Sequence, residues 1–156
     1  MWVCTGCNRL KGNRFAVDNR NRPLLIDPTI ENPCDFLYFD ALTGNITAKY
    51  DSSTGKPSRK GIHTVDPTVL PLNIEPVTEG RQRTRRNLVR AVNHFLHRTK
   101  SSPLPVLQGE VIEAIQDNDD YGLAHWYFQR DGESEEPFRT LRIAHPSVWQ
   151  NIGQSL

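Results

Sequence analysis

Apolar residues are spaced in two different ways along this 156-residue chain, and the change of spacing divides it near residue 75. In the first part the apolar runs are short and broken by turn residues. Leu24-Leu25-Ile26 reads as a brief strand stopped by Asp27-Pro28, and Glu31-Asn32-Pro33 makes the next turn. Phe36-Leu37-Tyr38-Phe39 and Ile46-Thr47-Ala48-Lys49-Tyr50 flank Leu42-Thr43-Gly44-Asn45, so β-branched and aromatic residues on both sides of a Gly-Asn turn predict a β-hairpin. Residues 51–61, rich in Ser, Gly, Lys and Pro, read as a mobile loop. Asp66-Pro67 resembles a cap followed by proline at the first helical position, opening a short turn through Leu70.

Beyond residue 75 the period changes. Leu88, Val89, Val92, Phe95 and Leu96 fall on one face of a helix predicted over Thr78 to Arg98. Val106, Leu107, Val111, Ile112 and Ile115 repeat the pattern, and shorter helices are expected around 123–128, 138–143 and 147–152. Residues 8–15 read as another short helix, with Gly12 near its end and Phe15 anchoring it. The expected class is α+β, a small β-containing first half (1–75) followed by a mainly helical second half (76–156) in one domain. No apolar stretch approaches the roughly 20 residues of a membrane span, and the N-terminus lacks the apolar core of a signal peptide, so a cytoplasmic protein with no membrane partner is expected.

A formal charge of +1 conceals a segregation of signs. Arg81, Arg83, Arg85, Arg86, Arg90, Arg98 and Lys100 occur with no acidic residue among them, whereas Glu110, Glu113, Asp117, Asp119, Asp120, Asp131, Glu133, Glu135 and Glu136 are accompanied by Arg130 alone. Helical projection puts Arg83, Arg86, Arg90, His94 and His97 on one face, opposite the Leu88, Val92 and Phe95 stripe. Such a ridge attracts phosphate backbones, or is an ordinary solvated face, or pairs with the chain's own acidic segment. Contact of Arg83 or Arg90 with Glu113 or Asp117 would favour the last of these. His94 and His97 could complete a Cys2His2 site in principle, but the projection assigns them to the ridge. Asp117, Asp119 and Asp120, with His125 nearby, read as a helix-ending acidic loop rather than a magnesium site. Trp126, Tyr127, Phe128 and Trp149 read as core or partner-contact aromatics.

The remaining chemistry lies near the N-terminus. Cys4 and Cys7, two residues apart, form one jaw of a tetrahedral zinc site, which needs four ligands. Three cysteines with one close pair fit metal binding in a reducing compartment better than a disulfide framework, and Cys34 is either a buried small residue or a third ligand. Cys4-Thr5-Gly6-Cys7-Asn8-Arg9-Leu10-Lys11-Gly12 and Phe15 are followed in order by Leu24-Leu25-Ile26-Asp27-Pro28, Asn32-Pro33, the Phe36–Phe39 run, Thr43-Gly44-Asn45-Ile46, Thr64 and Leu70-Pro71-Leu72-Asn73. That series resembles the HNH (ββα-metal) endonucleases, closest to the subgroup found beside an ATPase in bacterial anti-phage systems of the Septu and retron kind. The resemblance covers roughly the first 100 residues.

The resemblance implies that Asn8 ligates a catalytic Mg2+ or Mn2+. It implies that Cys4 and Cys7 form half of a structural Zn2+ site, and that Lys11, with Arg9 and Arg14, lies near the scissile phosphate of DNA. An ATPase subunit, or a second chain completing the motif, would be the protein partner. The family's first CxxC, its Asp-His pair and its central asparagine precede this segment, whereas here only Met1-Trp2-Val3 do, and no histidine occurs before His63. Loss of a general base costs about two to four powers of ten in rate. The chain is therefore expected to be the C-terminal portion of an HNH-type nuclease, inactive alone, through truncation, splitting or natural loss. The other reading is a catalytically empty DNA-binding or partner-docking module. Asn32-Pro33-Cys34-Asp35-Phe36 also departs from relatives that carry a histidine near Phe36.

Overall fold

A computed structural model describes residue 12 and residues 16–129 and 135–156 of the chain. The fold is α+β: two small antiparallel two-stranded sheets are followed by a run of helices. The chain divides into two compact units, Met1–Glu79 and Gly80–Leu156. The helix predicted over 8–15 lies outside the described residues.

In the first unit, residues 16–24 form a narrow reversal closed by a bridge between Val17 and Pro23, with Leu24 N–H donating to the Ala16 carbonyl at 2.9 Å. Asp18 holds its centre. One carboxylate oxygen accepts the Arg20 and Arg22 backbone N–H groups at 2.9 Å, and the other accepts the Arg22 guanidinium. The Arg22 backbone and side chain together hold the Asp18 carboxyl down to about 2. This reversal replaces the predicted 24–26 strand. Leu25 and Ile26 are buried, but the Ile26 N–H bonds to Thr64 Oγ1 at 3.3 Å instead of a neighbouring strand.

The predicted hairpin forms. Strand β1 (Leu37–Phe39) pairs with β2 (Ile46–Ala48) so that Phe39 faces Ile46. Its turn is built by Asp40, whose carboxylate accepts Leu42 N–H and the Thr43 hydroxyl, and by Gly44 at φ +76°, where a side chain would be strained. Asn73 clasps the outer edge: its Oδ1 accepts Ile46 N–H and its Nδ2 donates to the Ile46 carbonyl, both at 2.8 Å. An amide side chain thus satisfies the two backbone groups that an additional strand would have paired.

Tyr50 leaves this hairpin for a second one. Strands β3 (Tyr50–Asp51) and β4 (Lys56–Pro57) pair across a Ser-Ser-Thr-Gly turn with Gly55 at φ +65°. Ser58 then caps helix α1 (Arg59–Val65), its Oγ accepting Gly61 N–H at 3.1 Å. The segment predicted as a mobile loop is therefore ordered, because local capping supplies what apolar periodicity does not. Helix α1 lies against β2, and Gly61 is the point of closest approach, since a Cβ there would collide with the Phe36 carbonyl oxygen. Asp66 forms the turn predicted through Leu70, accepting Thr68 N–H at 2.8 Å.

Helix α2 (Glu75–Arg98) starts three residues before its predicted beginning, with Pro76 in its first turn, where proline's missing N–H has no partner to lose. In the second unit α2 continues from Gly80 and is followed by α3 (Leu104–Gln116), α4 (Leu123–Gln129), α5 (Phe138–Ala144) and α6 (Pro146–Ser155). Most of each predicted stripe points inward: Leu88, Val92 and Phe95 of α2 and Leu107, Val111 and Ile115 of α3 are buried, Val89, Leu96 and Ile112 are half-buried at the edges, and Val106, predicted with them, is exposed in the first turn of α3. An aromatic cluster fills the rest of the core. Tyr127 stacks on Phe138 with ring centroids 4.2 Å apart, Phe128 meets Phe138 edge-on at 5.6 Å, and Phe128 lies 4.7 Å from Trp149. No helix among the described residues is long and apolar enough to cross a membrane.

Candidate nucleic-acid interface

The outward face of α2 repeats the ridge expected from the sequence. Arg83, Arg86, Arg90, His94 and His97 are exposed, while Thr84, Leu88, Val92 and Phe95 on the opposite face are buried. At 100° and 1.5 Å per residue, the five side chains occupy an arc of about 80° over a rise of about 21 Å.

Ion pairing separates these residues from the other cations of α2. Arg85 pairs with Glu135, and Arg98 pairs with Glu110 on α3. Both recipients belong to the acidic segment, so part of the basic run is neutralised within the unit. The ridge is not. Among the described residues, no carboxylate lies within 4.0 Å of the Arg83, Arg86 or Arg90 guanidinium, and Arg90 makes one long hydrogen bond, 3.4 Å, to Asn87 Oδ1. Glu113 and Asp117, the acids that would have claimed Arg83 or Arg90, are exposed and form no ion pair among the described residues. The ridge thus keeps three permanent charges in water, with two imidazoles beside them.

The other basic residue of the helix has a structural place. Arg81 is buried beside Gly80 in the sequence, in the part of α2 where Tyr121 lies so close that a Cβ on Gly80 would overlap the phenol ring. Sequence periodicity gave no sign of this contact, because Gly80 reads as a weak helix residue. Asp119 is the one acid of the 117–120 group that folds inward. Burial raises its carboxyl pKa, and the Ala124 and Leu123 backbone N–H groups partly oppose that shift. Burial also raises the Tyr127 phenol pKa, so it stays neutral against Phe138.

Cys4, Cys7, Asn8, Arg9, Lys11 and Arg14 lie outside the described residues. Cys34 is half-buried in a single 3-10 turn, Pro33–Asp35. Among the described residues no three His, Cys, Asp or Glu side chains gather in a group that could hold a metal ion. His63, the histidine of the first unit, sits on α1 near Asp66, and its charge helps to lower the Asp66 carboxyl pKa after the larger effects of the Thr68 hydroxyl and N–H.

Comparison with protein-family models, with curated proteins and with solved structures returned no match.

Proposed function

We propose that the chain is the DNA-binding body of an HNH-type, metal-dependent endonuclease, and that it holds DNA through the phosphate backbone. The observation that carries the binding half is the sorting of charge on α2: Arg85 and Arg98 are spent on Glu135 and Glu110, whereas Arg83, Arg86 and Arg90 stay exposed without a described acidic partner. A solvated helix face normally mixes signs. A single-signed ridge of guanidinium groups instead suits phosphates, which accept their forked donors.

The nuclease half rests on the residue series from Cys4 to Asn73. In that reading Cys4 and Cys7 contribute to a structural Zn2+ site, and Asn8 contributes to a catalytic Mg2+ or Mn2+. Lys11, Arg9 and Arg14 face the phosphate to be cut. In the same reading none of the five histidines, at 63, 94, 97, 125 and 145, is assigned as the base that activates water. The protein partner in that reading is an ATPase subunit of a defence complex or a second chain.

Titration of a 20-base-pair duplex tests the binding half. Three neutralised phosphates give a slope of log affinity against log salt of about −2.7, or about a 40-fold loss between 50 and 200 mM salt. Replacing Arg83, Arg86 and Arg90 together by Ala should flatten the slope by about that amount. A slope unchanged by the triple substitution overturns the interface. Plasmid nicking with Mg2+ or Mn2+ tests the other half: efficient cleavage that survives Asn8→Ala excludes the assigned metal ligand, and cleavage that Asn8→Ala abolishes shows that the chain is an active nuclease alone.

A further inference from the structure

The second hairpin and the start of α1 form one wall of an open cleft in the first unit, with a volume of about 970 Å³. Nothing in the proposed function uses it. Its acids and bases are unequally free. Asp18 is bound by Arg22, and Glu31 is bound by Lys60. Lys60 also lies over the Phe36 ring, 5.5 Å from its centroid. Asp51 is turned into its own hairpin, its Oδ1 accepting the Ser53 N–H at 2.9 Å and the Ser53 hydroxyl at 2.6 Å. Lys56 and Arg59 line the same cleft, are exposed, and have no ion-pair partner among the described residues.

Tyr50 is the second element. It stands directly across the β3–β4 ladder from Pro57, and the residue is 63% exposed although it lines the cleft. A large aromatic ring held on an ordered hairpin, wet on one face and next to two available cations, is the arrangement that binds an unpaired nucleic-acid strand. Bases stack on the ring, and the phosphates between them meet the cations. A duplex fits this cleft poorly, because its bases are already stacked on each other. An acidic peptide would use the cations but not the ring.

We propose that the cleft bounded by Tyr50, Lys56 and Arg59 binds single-stranded DNA, separately from the duplex ridge on α2. The two sites differ in kind. The ridge has three exposed guanidinium groups with two imidazoles and no exposed Phe, Tyr or Trp among them, so its affinity is mainly ionic. Of the five cations that line the cleft, Arg22 and Lys60 are in ion pairs and Lys49 donates to the Cys34 carbonyl at 3.2 Å, which leaves Lys56 and Arg59 with Asp35 and Asp51 nearby, so its affinity comes mainly from stacking. Two phosphates on a single strand give a salt slope of about −1.4, half that of the ridge. The proposal is independent of the duplex interface, and either can fail alone.

The test uses the full chain and a fluorescein-labelled dT12 oligonucleotide, titrated from 50 to 300 mM KCl beside the 20-base-pair duplex. Tyr50→Ala should weaken dT12 binding at least tenfold with an unchanged salt slope, while Tyr50→Phe binds as the parent does. Arg59→Gln should reduce the slope by about 0.7. The Arg83, Arg86 and Arg90 triple substitution should leave dT12 affinity within twofold. All these side chains are exposed, and the amide spectrum of each variant confirms that the first unit is folded. The proposal is overturned if Tyr50→Ala binds dT12 within twofold of the parent. It is equally overturned if an abasic oligomer or an acidic peptide of the same charge competes as well as dT12, or if the ridge variant loses both ligands in parallel.

Discussion

The two units reach stability by opposite means. Among the described residues, sixteen hydrophobic side chains are buried in the second unit, whereas the first buries four: Leu25, Ile26, Phe39 and Val69. The first unit relies on polar groups that satisfy the backbone one contact at a time. Asp18, Asp40, Asp51, Ser58 and Asp66 each close a turn or cap a helix, and Asn73 clasps Ile46. The second unit relies on aromatic packing, which is nondirectional and leaves its surface free to carry charge. That freedom lets one face of α2 keep three arginines without described partners while the opposite face builds a core. A hydrogen-bonded unit has less latitude, since most of its polar side chains are already committed. Among its described residues, the exposed Tyr50, Lys56 and Arg59 lie on the second hairpin and the first turn of α1, and neither Lys56 nor Arg59 is in an ion pair.

The contrast can be broken most strongly at Phe138. Its ring is fully buried between Tyr127 and Phe128, so Phe138→Ala should cost about 3–5 kcal/mol in denaturant unfolding. Hydrogen exchange should show the loss in helices α3 to α6, with protection of the β1–β2 hairpin retained; equal loss in both units would show that their stabilities are not separate. Next in size is Gly61→Ala, which adds one methyl where a backbone carbonyl already sits. A cost of about 1–3 kcal/mol is expected, read at the hairpin amides. A neutral effect would mean that α1 does not lie against Phe36 as described.

Asn73→Ala removes both bonds to Ile46 and should cost about 1 kcal/mol, limited because the exposed backbone groups can turn to water. Asn73→Asp, which keeps the acceptor and loses the donor, should fall between Ala and the parent in the same melt. The smallest effect concerns Asp119. Its pKa in the fold is raised by burial, so its favourable contribution is present below the unfolded value and is lost as pH rises through the folded value. Above that folded value the ionised carboxylate therefore weakens the second unit. Asp119→Asn should raise the melting temperature there slightly, the gain kept small by partial exposure to solvent, and should have no such effect at pH 3. A gain that persists at pH 3 would point to packing rather than charge.

Where apolar periodicity was long, the sequence was legible. Leu88, Val92 and Phe95 define the buried side of α2, and Arg83, Arg86, Arg90, His94 and His97 follow on the other side by geometry alone. The β1–β2 hairpin was readable from Phe36–Phe39, Gly44 and Ile46–Ala48 for the same reason, since alternation and a turn residue are local signals. Residues 50–65 were not readable. Two strands of two residues each and a helix of seven are too short for any period to register, and Gly55, Pro57 and Gly61 resemble loop punctuation unless the Phe36 carbonyl above Gly61 is known.

By itself, then, the order of residues determined the α+β class, the inward stripes of the long helices and the existence of a basic ridge, because each depends on spacing within one element. Only tertiary structure decided which charges remain available. Arg85 meets Glu135 across 50 positions and Asn73 meets Ile46 across 27, and no local pattern separates Arg85 from Arg86 or Lys60 from Arg59. Neighbouring charges of one sign look alike along the chain, and become different only when folding brings a distant carboxylate within reach of one and not the other.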